Sequence, residues 1–265
     1  MYKYLILFTA CISFFGIQVH AACEDYELNV SCWDCAATAE DNCTARLNNG
    51  VLTVSGTGKV KSLPDGSSEY CIDNGCWNHL RNEITSVVVE EGITELGRNA
   101  FESLPITNIS LPSTLKVLGA EALQRSQLTF LNLPEGLESF GGRMFFSGNV
   151  PVTTVSIPDS LIDAGGLSVF AFEHSNVRTL YCSNEKEQAC ADYVDEVVKA
   201  GYYAPGNLTY KTYEKYGDMY LYNGKFYTKL GDIGTKNYIK KRIYTVEEAT
   251  KLSKPNGNTF IIRYK

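Results

Sequence analysis

The pair Cys32-Trp-Asp-Cys35 places two thiols at the spacing used by redox dithiols and by half of a zinc site. A redox pair would want a strand before it and a helix after it. Here the neighbours are Cys23, Cys43 and polar loop residues. A zinc site would need a second pair, and only Cys71 and Cys76 are near, at an unusual spacing. Structural disulfides are therefore the expected state. Nearest-neighbour closure pairs Cys71 with Cys76 and Cys182 with Cys190, and leaves Cys23, Cys32, Cys35 and Cys43 without a fixed connectivity. The chain holds 3 histidines, and neither His79 nor His174 stands beside a nucleophile elbow or a metal-binding pair. No phosphate loop, dinucleotide fingerprint or calcium loop is present. No catalytic residue, metal or cofactor is expected, and the chain reads as a non-enzyme.

The ends and the charge constrain the setting. Lys3 is followed by an uncharged apolar run from Leu5 to Val19 and by Ala21-Ala22, the form of a secretory signal peptide over residues 1–22. Of 9 cysteines one lies in that segment, leaving an even number, as disulfides in an oxidising compartment require. The expected location is secreted, cell-surface or periplasmic, with no membrane span once the signal is cleaved. The net charge of −6 hides an asymmetry: from Asn207 onward there are 12 Lys/Arg against 5 Asp/Glu. That composition change places a module boundary at 206/207. A basic, tyrosine-rich tail invites a nucleic-acid reading, but tyrosines in alternating runs are more often half-buried sheet residues, and no nucleic-acid partner is expected.

Internal repetition decides the fold class. With Ile84, Ile106, Leu128, Val152 and Val177 aligned, apolar residues recur three and five places on, from Val87 and Val89 to Val155 and Ile157. They recur again nine and twelve places on: Ile93 and Leu96, Leu115 and Leu118, Leu137 and Phe140, Leu161 and Ala164. Phe101, Leu123 and Phe145 fill the column at seventeen, with Val169 and Phe170 sharing it in the fourth copy. Pro112, Pro134 and Pro158 end the strands, and Gly97, Gly119, Gly141 and Gly165 mark a tight turn. One copy cannot bury these rows alone, so the copies must stack. The fold expected is a mostly β solenoid, a leucine-rich-repeat coil with a disulfide-rich cap over 23–83 and repeats over 84–183. A helix from Asn184 to Lys199 and a linker to 206 close the open end, and a small α+β appendage fills 207–265. That appendage holds a hairpin at Tyr220–Thr228 around Asn223-Gly224, a strand at Arg242, a helix from Thr245 to Leu252 and a strand over Thr259–Tyr264.

The run Ile84-Thr-Ser-Val-Val-Val-Glu-Glu-Gly-Ile-Thr-Glu-Leu-Gly-Arg-Asn-Ala-Phe101 resembles the BspA-like leucine-rich repeat family, and Asn49–Gly58 with Trp77 resembles the cap that precedes such repeats. The resemblance covers about half the chain, roughly Cys43 to Cys182. It implies a surface or secreted protein with a role in adhesion, and supplies no catalytic residues. The ending, Ile243-Tyr-Thr-Val-Glu-Glu-Ala249 and Phe260-Ile-Ile-Arg-Tyr-Lys265, resembles an unassigned terminal module shared among exported bacterial proteins.

Strand alternation then points to a face. Between the inward residues lie Ser86 and Val88, Asn108 and Ser110, Phe130 and Asn132, Thr154 and Ser156, Thr179 and Tyr181. Val88, Asn108, Phe130, Asn132, Thr154 and Tyr181 are the candidate contacts for a protein or glycan on another cell or matrix. The alternative is a structural surface protein whose C-terminal module attaches it to the cell envelope.

Overall fold

The computed structural model describes residues 31–63, 77, 80–146, 150–216, 219–223, 225–234 and 236. The chain is mostly β, and its repeated part is built from parallel strands. The expected signal peptide, the Cys71–Cys76 bridge, His79 and the elements foreseen beyond 237 lie outside the described residues.

The N-terminal part is an antiparallel meander of β1 (Ser31–Asp34), β2 (Asn42–Asn48) and β3 (Val51–Val60). Asn49 and Gly50 join β2 to β3 with φ of 47° and 81°, the left-handed pair that a two-residue hairpin favours. β3 bends at Gly56 and Gly58. A Cβ on Gly56 would lie 1.8 Å from the Asn42 carbonyl oxygen, so only glycine lets β2 approach there. The bend lets one strand start two ladders. Its first half pairs in parallel with β4 (Ser86–Val89), its second half with β5 (Ile93–Leu96).

Each ladder continues one copy at a time. β4 pairs with β6 (Asn108–Ser110); β5 pairs with β7 (Val117–Leu118), and β7 with β8 (Ser139–Phe140). A third parallel set holds β9 (Thr154–Ser156), β10 (Thr179–Ser183) and β11 (Thr209–Tyr216). The inward rows meet in one core: Val87, Ile109, Leu131 and Val155 from the strand side, Ile93, Leu115 and Leu137 from the corner, Phe101, Leu123 and Phe145 from the return. Trp77 closes it at the N-terminal end, stacked on Phe101, with Nε1 donating to the Ala100 carbonyl.

Three expectations are corrected. Ala164 is exposed and does not fill an apolar row, because Asp159–Asp163 coils into a short helix, α1, after Pro158. That insertion lengthens the fourth copy, so its aromatic column falls on the buried Phe172, while Phe170 is 43% exposed and Val169 half-buried. The glycine column is not a turn requirement. Gly97, Gly119 and Gly141 carry no left-handed φ; a Cβ on each would lie 2.5, 2.6 and 2.3 Å from the backbone of the preceding turn. In the fourth copy the close approach moves to Gly166, where a Cβ would meet the Glu138 oxygen at 1.8 Å, and Gly165 faces open space.

The composition change at 206/207 is not a break in the sheet. α2 (Glu187–Lys199) runs from β10 back to β11, and β11 adds to β10 in register from Thr179 with Thr209 to Ser183 with Tyr213. The helix buries Cys190, Val194 and Val197, which makes it the return segment of the fifth copy rather than its end. Cys182 and Cys190 form a disulfide between β10 and this helix.

Candidate functional site

The outward side of the strand ladder is where the sequence places its candidate contacts, and the structure divides it. In the first half, two rows of side chains cross the sheet in register. Asn48, Val51, Ser86 and Asn108 form one; Arg46, Thr53, Val88 and Ser110 form the other. Asn108 and Ser110 are exposed and Val88 is half-buried. Arg46 is the one charged side chain in these rows, so this part of the face is polar, shallow and nearly neutral.

Past β6 the ladder stops. Among the described residues no backbone hydrogen bond joins Thr129–Leu133 to the strands on either side. Phe130 is half-buried there. Asn132 Oδ1 is buried and has no hydrogen-bond partner.

The second half of the face is covered by the chain itself. β11 turns into an antiparallel hairpin of β12 (Met219–Tyr222) and β13 (Lys225–Tyr227), followed by a 3-10 turn at Leu230–Asp232. The hairpin turn holds Asn223 at φ 48°, as an Asn-Gly connection favours. The 3-10 turn lies against β9. Gly231 sits flush on copy three: a Cβ would lie 2.2 Å from Asn132 Oδ1 and 2.6 Å from the Leu131 oxygen. A Cβ on Gly234 would lie 2.5 Å from the Tyr181 hydroxyl. Glu135, at the corner of copy three, accepts from Lys215 Nζ at 2.7 Å and from the Tyr220 hydroxyl at 2.8 Å.

These contacts enclose a second apolar cluster of Tyr181, Tyr213, Tyr220, Tyr227, Leu230 and Ile233. Tyr181 is therefore not an exposed anchor. It is 6% exposed and meets the Tyr222 ring edge-on at 4.9 Å. Burial pushes the Tyr181 hydroxyl well above its usual range, and a hydrogen bond with Tyr222 adds to the shift. Ser156 is buried, and Asn132 and Thr154 are half-buried. Of the six candidate contacts, only Val88 and Asn108 stand on open sheet; Phe130 lies at the border. The cover could not be read from strand alternation, because its residues lie about 40 to 100 positions further along the chain.

The thiol pair at Cys32-Trp-Asp-Cys35 is not a dithiol, since Cys35 is joined to Cys43 and buried. His174 stands mostly in solvent against the edge of Phe146. No group of three or more His, Cys, Asp or Glu among the described residues is arranged to hold a metal ion. No helix among them is long and apolar enough to cross a membrane.

On the return side, Arg98, Glu121, Arg143 and Glu173 form a ladder of opposite charges across successive copies, with closest approaches of 2.8, 3.8 and 2.9 Å. The exposed Phe170 packs edge-on against Tyr202 beside it. Sequence inspection did not single out this ladder, although its charges recur at near-repeat spacing.

Comparison with known proteins agrees with the geometry. Residues 57–178 match the model of the BspA type leucine rich repeat region, in 6 copies. The match begins inside β3, which agrees with that strand starting both ladders, and so extends the repeats into the segment expected as cap. A solved leucine-rich repeat protein from Eubacterium ventriosum is similar at 20% identity over 58% of this chain, with a TM-score of 0.43. The match spans 44% of that protein's length. No curated protein matches the chain.

Proposed function

Because residues 57–178 are a BspA-type leucine-rich repeat region, we propose that this chain is an exported binding protein whose open strand face docks a protein on another cell or in the matrix. Repeats of this kind generally bind proteins, and stacked repeats offer extended sheet faces for that purpose. The observation that carries the reading is the pair of in-register outward rows on β2, β3, β4 and β6, which no other described part of the chain covers. The apolar start of the sequence and the bridges Cys35–Cys43 and Cys182–Cys190 support export. The whole is read as a solenoid presenting a surface, not as an enzyme. No reacting groups converge on the face, whose exposed members are Arg46, Asn48, Asn108 and Ser110, with Val88 half-buried among them.

The test is binding of the full chain to intact cells and to matrix proteins, with Asn108→Arg and Ser110→Arg introduced together. Both side chains point into solvent, so folding should be unaffected and thermal unfolding unchanged. Bound protein should fall at least to about a tenth, since charge at the centre of a small interface is strongly disfavoured. Undiminished binding by the double variant would move the site off this face.

A further inference from the structure

We infer that the β12–β13 hairpin and the 3-10 turn after it form a displaceable strap on the second half of the face, occupying a surface that an extended polypeptide partner takes over. The inference rests on the reading of the face as a binding surface and extends it to copies three to five.

Three observations carry it. The first is that the strap lies on outward strand residues, not on the core. Asn132, Ser156 and Tyr181 continue the row of Val88 and Ser110, and the strap covers them with its own cluster, separate from the main one. The second is the quality of the contact. Of four buried side-chain atoms without a hydrogen-bond partner among the described residues, two belong to this interface, Asn132 Oδ1 and the Tyr213 hydroxyl. Buried polar groups left unpaired cost free energy that a better-matched occupant would recover. Gly231 reaches Asn132 without offering it a donor, and the neighbouring backbone at Thr129–Leu133 has no ladder partners. An extended chain laid there brings backbone N–H donors within reach of Asn132 Oδ1 and the Leu131 oxygen, the acceptors that face the strap.

The third is size. At about 4.8 Å between strands, β2, β3, β4 and β6 set a face about 20 Å across, and copy three with β9, β10 and β11 carries it to about twice that width. A standard interface takes about 800 Å² from each partner, which favours the wider face. The strap's polar tie to the corner, the Tyr220 hydroxyl on Glu135, ends on a carboxylate whose side chain is 36% exposed, so it opens without removing a charge from the core; Lys215 on the same carboxylate belongs to β11 and stays in place.

Hydrogen exchange of the full chain, read by mass spectrometry, tests the strap. In the wild type, amides of 219–233 should exchange at least about tenfold faster than those of 179–183, because a strap opens below the global unfolding free energy. Gly231→Ala places a methyl against Asn132 and Leu131. It should bring strap amides to open-chain rates while the main thermal transition stays in place; Glu135→Gln should act in the same direction, more weakly. A labelled synthetic peptide of residues 219–234 should then bind the Gly231→Ala protein in trans, at least about tenfold more tightly than it binds the wild type. Equal protection of strap and β10, joint loss of both in Gly231→Ala, or no binding of the peptide to that variant would each overturn the inference. The Asn108/Ser110 test uses only the open half, so cell binding that depends on those residues beside an immovable strap would overturn this inference alone.

Discussion

Replacing Gly119 by alanine should destabilise the chain far more than the same change at Gly165, although both belong to one column of the sequence. A Cβ on Gly119 would lie 2.6 Å from the Gly97 carbonyl carbon and 2.7 Å from Arg98 N. Both are backbone atoms, so no side chain can swing aside. Restoring ordinary contact parts the two turns by about 0.8 Å, an overpacking that costs about 1–3 kcal/mol. The same parting stretches the bond from Gly119 N to the Leu96 oxygen, now 2.8 Å, beyond hydrogen-bonding range. Losing that bond and one ladder neighbour adds about 1 kcal/mol each. A loss of about 3–5 kcal/mol lowers the melting temperature by about 6–20 °C in a chain of this size. Gly165 has φ 62° and nothing within 4 Å, so alanine there meets only the backbone penalty of about 1–2 kcal/mol. Urea unfolding of the two variants beside the wild type measures both. Equal losses, or a larger one at Gly165, would refute close approach between turns as the reason for the column.

The aromatic column and the buried hydroxyls give two further expectations. Phe172→Ala should cost about 3–5 kcal/mol by opening a cavity in the core, while Phe170→Ala, on a side chain 43% exposed, should cost a small fraction of that by the same urea titration. In a phenolate absorbance titration, Tyr181, Tyr193, Tyr203 and Tyr213 should not ionise near the usual value of 10, because burial raises each of them. The sign follows from linkage. The folded state disfavours the phenolate, so the stability these groups contribute is complete below pH 10 and is lost as the pH rises above it. All tyrosines titrating together near 10 in the folded protein would contradict their burial.

Much of the repeat was legible because its physics is local and periodic. Val87, Ile109, Leu131 and Val155 alternate as strand residues must when one side is buried, and each is buried. Phe101, Leu123 and Phe145 recur at fixed spacing because each fills the same place one turn along. The column failed at copy four, where Pro158-Asp159 begins a helix and adds residues before the aromatic position. A fixed spacing cannot register such an insertion, and so Val169 and Phe170 were expected where Phe172 packs. The glycine column was seen for the wrong reason. A turn and a close approach both select glycine, and only the positive φ of Gly165 against its absence at Gly97, Gly119 and Gly141 separates them.

The site was half legible for a different reason. Alternation tells which strand residues leave the core, and Val88, Asn108, Asn132 and Tyr181 are the ones it assigns to the outward side. It does not tell what lies over that side. Tyr181 reads as an exposed anchor so long as nothing reaches it, and what reaches it is Tyr222 and Gly234 from a hairpin that the sequence shows only as another alternating aromatic run. Tyr213, Tyr220 and Tyr227 are fully buried rather than half-buried as alternation suggests, and the surface that buries them is the candidate binding face itself. The change to a basic, tyrosine-rich composition after residue 206 thus marks the point where the chain stops building repeats and turns back over them. Lys215 meeting Glu135 is the electrostatic side of the same event. A composition boundary in a stacked-repeat chain need not be a domain boundary, since the last strand can keep the register of the stack while its side chains serve a new contact.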